Sequence, residues 1–257
     1  MWGVIWFPMR LLEGHGLAGI WLTFILYAAA LVASLPRTAG SLREFVTDWR
    51  TLVPLALAGG WANIAFVLAI LDGNVMRVLL LFYLSPMWAV PLAWLLIGER
   101  VSRFSLLTLA VALAGAGLLL WEPTQGWPWP RGFADWLALS SGFTFALSNA
   151  LVRKSKNASI SAKALSVWIG VTVLSYALIA LFAVPAPAVG TSVVAGAVAL
   201  GVGGILLMTV LVQYGVTHMP VYRSAVILLF ELVAGALSQQ LLTEEVMTPT
   251  GWLGGAL

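Results

Sequence analysis

Long apolar runs separated by short polar stretches dominate the chain. A helix rises about 1.5 Å per residue, so about 20 apolar residues cross the hydrocarbon layer of a bilayer. Proline, glycine and charge mark the loops between the runs, as in "EPTQGWPWPRG" and "VPAPAVG". The end pieces 2–9 and 248–257 reach only about half-way. Eight runs have spanning length and are predicted as membrane helices at 17–35, 52–71, 75–97, 104–121, 132–152, 163–183, 191–217 and 221–243.

Composition supports a bilayer as the solvent. Of the 257 residues, 61% are hydrophobic and 9% are charged, whereas about 25% are charged in a soluble domain. The chain has no cysteine, which excludes a disulfide framework and a thiolate metal site. The 13 basic residues are scattered, which argues against nucleic acid as a partner. The sequence therefore predicts an all-α integral membrane protein whose partner is the lipid bilayer.

The sequence also contains an internal repeat, in which one structural unit occurs twice. Glu99 closes an apolar run in "WLLIGERV", and Glu245 closes another in "QLLTEEVM". The offset that places Glu99 over Glu245 also places Arg77 over Arg223. Internal repeats of this kind are typical of transporters built from two halves.

The two copies are predicted to lie in the membrane with opposite orientation, because helices 4 and 9 are an odd number of crossings apart. Positive charge supports this topology, since cytoplasmic loops carry an excess of Lys and Arg. One side of the predicted membrane has Arg10, Arg77 and Arg131. The other side, predicted to be cytoplasmic, has Arg37, Arg43, Arg50, Arg100, Arg103, Arg153, Lys154, Lys156, Lys163 and Arg223.

The predicted architecture is a ten-helix inverted repeat of five and five helices, with the first and last helices truncated in this chain. Residues 1–122 form the first repeat, with helix 1 incomplete. Residues 132–257 form the second repeat, with helix 10 incomplete. On this interpretation the sequence is a slightly shortened piece of its protein.

Ten helices in two inverted halves, the "WG" of the first helix and "PMWAVPLAWLLIGERVS" (86–102) resemble the drug/metabolite transporter superfamily, EamA type. The second copy, "ELVAGALSQQLLTEEV", departs from that motif: it lacks the proline, and Thr243 and Glu244 replace Ile and Gly. The resemblance implies a proton-coupled or facilitated carrier of small metabolites, commonly an exporter of amino acids or drugs. It also implies a central cavity lined by helices 1, 3, 4, 6, 8 and 9.

Glu231 is the sharpest functional signal, because it lies close to the middle of the predicted span 221–243. A charge there costs from about 3 to above 10 kcal/mol unless it meets water or a partner. The functional interpretation is a substrate and proton-coupling site that faces the cavity. The alternative is a permanently neutral acid that hydrogen-bonds a neighbouring helix.

The repeat places Ser85 opposite Glu231, on a helix face with Phe82, Pro86 and Trp88. Pro86 frees a backbone carbonyl within the span and is predicted to act as a hinge. Ser85, Phe82 and Trp88 are candidate substrate contacts. For the two aromatic residues, packing or contact with lipid is an equally good account.

Three amides inside predicted helices are further candidates for substrate binding: Asn63, Asn149 and Gln213. An amide in hydrocarbon must find a partner, so inter-helix hydrogen bonding explains them equally well. Trp6 on helix 1 is a candidate wall of an apolar cavity. Tyr83 and Tyr214 have weaker claims, and Glu99 and Glu245 are predicted to stabilise helix ends.

The leading hypothesis is a secondary transporter in the bacterial cytoplasmic membrane that works by alternating access and favours export. Its substrates would be small metabolites such as amino acids or drug-like compounds, with proton coupling through Glu231. A membrane-embedded enzyme is one alternative, but it would need a cluster of His, Asp or Lys at one membrane face. A non-transporting scaffold or receptor is another. No catalytic residue, metal site or cofactor is predicted, and pairing into a homodimer through small-residue faces stays open.

Overall fold

The structure of the protein is a computed structural model, which describes residues 2–17, 19–73, 75–99, 101–120, 130–242 and, near the end, 252, 253 and 256. Every element in these ranges is helical. After a 3-10 turn at Trp2–Val4 come α1 (Trp6–Gly14), α2 (Gly19–Thr38), α3 (Ser41–Thr47), α4 (Trp49–Asp72), α5 (Val75–Phe82), α6 (Ser85–Ile97) and α7 (Arg103–Leu120). The second part contains α8 (Phe133–Lys154), α9 (Ile160–Leu181), α10 (Thr191–Leu200), a π-helical segment (Gly201–Ile205), α11 (Leu206–His218) and α12 (Val221–Leu242).

Each of the eight predicted spans coincides with a helix or with consecutive helices. The third span is broken into α5 and α6, and the seventh contains α10, the π-helical segment and α11. Among the described residues, five stretches are long and apolar enough to cross a membrane: Gly19–Thr38, Trp49–Ile70, Arg77–Ile97, Ile160–Leu181 and Thr191–His218. The protein is therefore a multi-pass membrane protein. Glu245, Arg100 and the predicted loop 122–129 lie outside the described residues.

The segment that joins the first two predicted spans is partly helical. The stretch 36–51 is not a continuous loop, because α2 runs through Pro36 to Thr38 and α3 follows it. Pro36 cannot donate to the carbonyl of Val32, and α2 ends two residues later at Thr38. Lys163, which was grouped with the cytoplasmic charges, lies in the first turn of α9 and is fully buried.

Helix α4 packs against both α8 and α9, and these contacts require small residues. A Cβ on Gly170 of α9 would overlap the backbone carbonyl of Ala56 on α4, and one on Gly60 would lie 2.7 Å from the carbonyl carbon of Gly170. Close backbone approach of this kind is how membrane helices gain packing energy where lipid supplies no hydrophobic drive. Gly60 and Gly170 therefore set the distance between α4 and α9.

Hydrogen bonds join α4 to α8. The hydroxyl of Ser141 donates to the carbonyl of Ala62 at 2.6 Å, and the indole of Trp61 donates to Ser140 at 3.1 Å. Helix α8 is rich in buried small and polar residues, which explains why it falls short of the hydropathy of a lipid-facing span. Its position inside the helix bundle allows α8 to carry these polar side chains.

The close approach of α4 and α9 is testable by substitution. Gly170→Ala should lower the thermal unfolding midpoint in detergent, with a loss of about 1–3 kcal/mol, because the helices must separate to admit the methyl group. Circular dichroism at increasing temperature measures this change. Gly117→Ala on α7 is the matched control, since nothing lies within 4 Å of a Cβ there, and it should leave the midpoint unchanged or raise it slightly. Equal midpoints for the two variants would contradict the packing account.

Candidate functional site

The helix is interrupted between α5 and α6, at Tyr83 and Leu84. Pro86 follows at the start of α6 and has no backbone N–H, so it cannot donate to the carbonyl of Phe82. That carbonyl lies against Gly142 of α8, where a Cβ would come within 2.6 Å of its oxygen. Pro86 thus frees the carbonyl of Phe82, and a glycine on the neighbouring helix accommodates it. Whether the break moves as a hinge stays a prediction.

A small cavity opens beside this break, between α5, α6, α8 and α12. Its volume is about 10 Å³, which is room for about one water molecule. A metabolite needs more space, so binding would require the helices to separate. The lining residues are Phe82, Tyr83, Ser85, Pro86, Ala89, Phe145, Ala146, Asn149, Ala225, Leu228, Leu229 and Glu231.

Glu231 gives the cavity its charge. Of the described residues that line the cavity, it is the one with an ionisable carboxylate. The hydroxyl of Tyr83 donates to its Oε2 over a long 3.5 Å, so this bond is weak and leaves the carboxylate available to another donor. A carboxylate inside a membrane helix normally marks a substrate or ion pathway.

Aromatic rings form one wall of the cavity. The ring of Phe82 lies 5.4 Å from that of Phe145 and 5.1 Å from that of Tyr83, measured between centroids. Phe66 of α4 backs Phe82 at 4.7 Å. Ring faces carry partial negative charge and attract cations, while their carbon surface accepts apolar groups. A carboxylate next to such a wall suits a positively charged group attached to an apolar body.

The structure brings five of the residues predicted for the site into this one cavity: Phe82, Ser85, Pro86, Asn149 and Glu231. They come from α5, α6, α8 and α12, which are far apart in sequence. Asn149 and Ser85 are each 6% exposed and place an amide and a hydroxyl at the cavity. Their roles in binding, and the role of Glu231 in proton coupling, stay predictions.

Four other candidates lie elsewhere. The indole of Trp6 donates to Ser238 at 3.0 Å. The amide of Asn63 accepts from the Tyr27 hydroxyl at 2.6 Å and donates to the carbonyl of Gly59. The bond between Tyr27 and Asn63 matches the inter-helix hydrogen bonding that the sequence left open as an alternative for Asn63.

Trp88 and Gln213 are also outside the cavity. Trp88 is 42% exposed at the surface of the bundle and meets Phe143 edge to face. Gln213 is 5% exposed on α11, and no described group bonds its buried Oε1. In this arrangement, neither side chain borders the space beside Glu231.

Sequence reasoning underrated Tyr83 and missed Phe145 and Leu228. Helical spacing held the signal for two of them, because Phe145 precedes Asn149 by one turn and Leu228 precedes Glu231 by three residues. Tyr83 lies in the break itself, where helical spacing no longer predicts the direction of a side chain. Its contact with Glu231 follows from the tertiary fold.

The fold and the cavity define a class of protein. The helices cross a membrane several times and enclose a small space with few polar groups, as multi-pass proteins that handle small molecules do. Residues 1–121 match the EamA-like transporter family. The resemblance to the drug/metabolite transporter superfamily that the sequence predicted is therefore confirmed over this first part of the chain, and the match supports a membrane transporter.

Two further similarities agree with that statement. An uncharacterized transporter of Archaeoglobus fulgidus is 27% identical over 216 residues, which are 84% of this chain and 76% of that protein. A solved crystal structure superposes with a TM-score of 0.78 at 15% sequence identity, covering 99% of this chain and 88% of its own. At that identity the likeness is one of fold.

The break between α5 and α6 gives a second testable prediction. Pro86→Ala restores a donor that can bond the carbonyl of Phe82, so backbone amides from Tyr83 to Met87 should exchange hydrogen about three- to tenfold more slowly. Hydrogen exchange with mass spectrometry resolves this segment.

The matched control for this change is Pro91→Ala, which restores a donor one turn further along α6, where no break occurs. It should not slow exchange at Tyr83. If Pro91→Ala slows exchange at Tyr83 as much as Pro86→Ala does, then the proline is not the cause of the break.

Proposed function

We propose that the protein is a secondary transporter that exports small amines across the cytoplasmic membrane by alternating access. These amines would be amino acids or drug-like compounds. The cavity beside Glu231 is its substrate site. The observation that carries this proposal is a carboxylate within a membrane helix, next to a tyrosine hydroxyl and an aromatic wall.

The position of the cavity supports transport over a fixed anchor. It lies between helices from both parts of the chain, α5 and α6 on one side and α8 and α12 on the other. Such a site opens when one part of a carrier rocks against the other. Its water-sized volume fits a closed stage of that cycle.

The lining chemistry supports an amine as the substrate. Glu231 offers a negative charge to an ammonium group, and the rings of Phe82 and Phe145 offer a cation-attracting, apolar surface. Asn149 and Ser85 can hydrogen-bond a second polar group, such as a carboxylate or an amide. Amino acids and drug-like amines share this combination of features.

Proton exchange follows from competition for one carboxylate. Glu231 can hold a proton or pair with an ammonium group, and it cannot do both at once. If protons enter from the outside, each one displaces the amine toward the outside as the cavity alternates. An inward proton gradient then drives export, and the chain needs no nucleotide site.

Glu231→Gln tests the assignment in proteoliposomes. The amide keeps the shape and can hydrogen-bond, but it cannot exchange a proton, so uptake or release of amines driven by a pH gradient should fall to background. Asp72→Asn is the matched control, because Asp72 is an exposed acid at the end of α4. Flux of Glu231→Gln that still responds to pH as in the unaltered protein would remove Glu231 from the mechanism.

The orientation of the chain is a separate prediction. The natural sequence has no cysteine, so single cysteines report sidedness without background. Lys156→Cys and Arg131→Cys are both at exposed positions, and an impermeant thiol reagent should label the first from the cytoplasmic side and the second from the outside. Labelling of both from one side would contradict the predicted topology.

A further inference from the structure

Two ion pairs join α8 to the broken pair of helices α5 and α6, one at each end. At one end, the Nε of Arg77 lies 2.8 Å from the Oδ2 of Asp135, and both side chains are less than one-tenth exposed. The same Oδ2 accepts from the backbone N–H of Arg131 at 2.8 Å. This ion pair connects the first turn of α5 to the first turn of α8, so the two stretches run parallel.

The second ion pair lies at the other end of these helices. The Nε of Arg153, in the last turn of α8, donates to the Oε1 of Glu99 at 3.1 Å. The Oε2 of Glu99 accepts from the backbone N–H of Val221 at 3.1 Å, which places a carboxylate at the N-terminus of α12, where the helix dipole favours it. The end of α6 therefore meets the start of α12, and those two helices run antiparallel.

A glycine positions Glu99 for this double contact. Gly98 has a φ of +71°, in the left-handed region that other residues rarely adopt. Its N–H donates to the carbonyl of Trp94, which is the hydrogen bond of an αL C-cap, and the N–H of Glu99 donates to the carbonyl of Ala93. The turn ends α6 and directs the next residue toward α8 and α12.

Arg153 extends the network to two more helices. Its Nη1 donates to the carbonyl of Thr217 on α11 at 2.5 Å, and the Nζ of the buried Lys163 on α9 donates to the hydroxyl of Thr217 at 3.0 Å. Five helices, α6, α8, α9, α11 and α12, thus meet through polar contacts at this one end.

The cavity lies between the two ion pairs on the helices that line it. On α5 and α6, the lining residues fall between Arg77 and Glu99, and on α8 they fall between Asp135 and Arg153. On α12, they begin one turn after Val221. Separating the start of α5 or the end of α6 from α8 would open the cavity toward that end alone.

We propose that the Arg77–Asp135 pair and the Glu99–Arg153 pair are the two gates of the cavity, broken one at a time during transport. This inference rests on the proposed function, because it assigns the parts that make the access alternate. By the predicted topology, the Glu99–Arg153 gate faces the cytoplasm and the Arg77–Asp135 gate faces outside. All four side chains are positioning residues, since none of them lines the cavity.

The ion pairs are suited to a reversible gate. The Arg77–Asp135 pair is less than one-tenth exposed, so removing one partner leaves an uncompensated charge. The Glu99–Arg153 pair is partly exposed, at 19% and 30%, and gains further hold from the bond of Glu99 to Val221. When the end opens, water replaces the partner and both charges are solvated. A gate of apolar side chains would instead have to expose them to water.

A cysteine in the cavity reports which gate is open. Ser85→Cys is nearly isosteric, and the natural sequence supplies no other thiol. An impermeant maleimide is larger than the water-sized cavity, so it reacts only after an end opens. Labelling rates are measured from each side of right-side-out and inside-out vesicles that contain the full chain.

Neutral variants of each gate are combined with Ser85→Cys. Glu99→Gln should speed labelling from the cytoplasmic side by about tenfold or more and slow it from outside, because closing one end accompanies opening of the other. Arg77→Gln with Asp135→Asn should do the reverse. Both residues are changed together because Arg77→Gln alone would leave the buried carboxylate of Asp135 without its cationic partner and would destabilise the fold.

Arg37→Gln, an exposed change at the end of α2, is the control and should leave both labelling rates unchanged. The gate assignment is overturned if either gate variant labels equally from both sides, or with the rates of the unaltered background. Should amine flux persist while labelling ignores the ion pairs, the gates alone are wrong. Amine flux is measured in the gate variants and in the unaltered protein without Ser85→Cys. Should labelling switch sides as expected while the unaltered protein moves no amine, the gates stand and the proposed substrate falls.

Discussion

The carboxylate of Glu231 is the constraint around which the central helices are arranged. A charge in hydrocarbon costs from about 3 to above 10 kcal/mol when it lacks water or a partner, so the helix that carries it must face a polar interior. Helix α8 supplies that interior, with buried serines and Asn149 where a lipid-facing helix would have leucines. The break before Pro86 brings the hydroxyl of Tyr83 to the same place. The free-energy cost of placing the Glu231 carboxylate inside the membrane thus accounts for the polar composition of α8. It also accounts for the irregular backbone between α5 and α6, because such backbone is tolerated at membrane depth only inside protein or beside a cavity.

The helices and the core of the cavity were accessible from sequence, and the reason is the strength of the underlying signals. A bilayer demands about 20 apolar residues per crossing, so the helix positions followed from run lengths. Glu231 is too costly to face lipid, which fixed the direction of its side chain. Proline chemistry fixed the break, and the weak internal repeat placed Ser85 and Phe82 near the acid.

Other side chains could not be placed because their rotation about the helix axis was undetermined. Asn63 and Asn149 are both amides inside long apolar runs, yet one bonds Tyr27 and the other borders the cavity. Sequence gives each the same need for a partner and does not say which neighbouring helix supplies it. Glu99 shows the same limit at a helix end: its partner Arg153 is 54 residues away in the chain, so the sequence does not identify the pair. Lys163 was grouped with the cytoplasmic charges, because a buried lysine in the first turn of a helix has no sequence pattern that distinguishes it.

The contrast between the middle and the ends of the bundle follows from the two solvents involved. Where α4 and α9 pack within the bundle, small residues bring the backbones together, since lipid gives apolar helices no hydrophobic reason to associate. At the ends, charged side chains exchange a protein partner for water when that end opens. Tight glycine packing therefore suits surfaces that stay in contact, and ion pairs suit surfaces that must part. The distribution of both along α5, α6 and α8 places the firm contact of Phe82 with Gly142 between two breakable ends, which is the mechanical arrangement that a rocking motion about a central site requires.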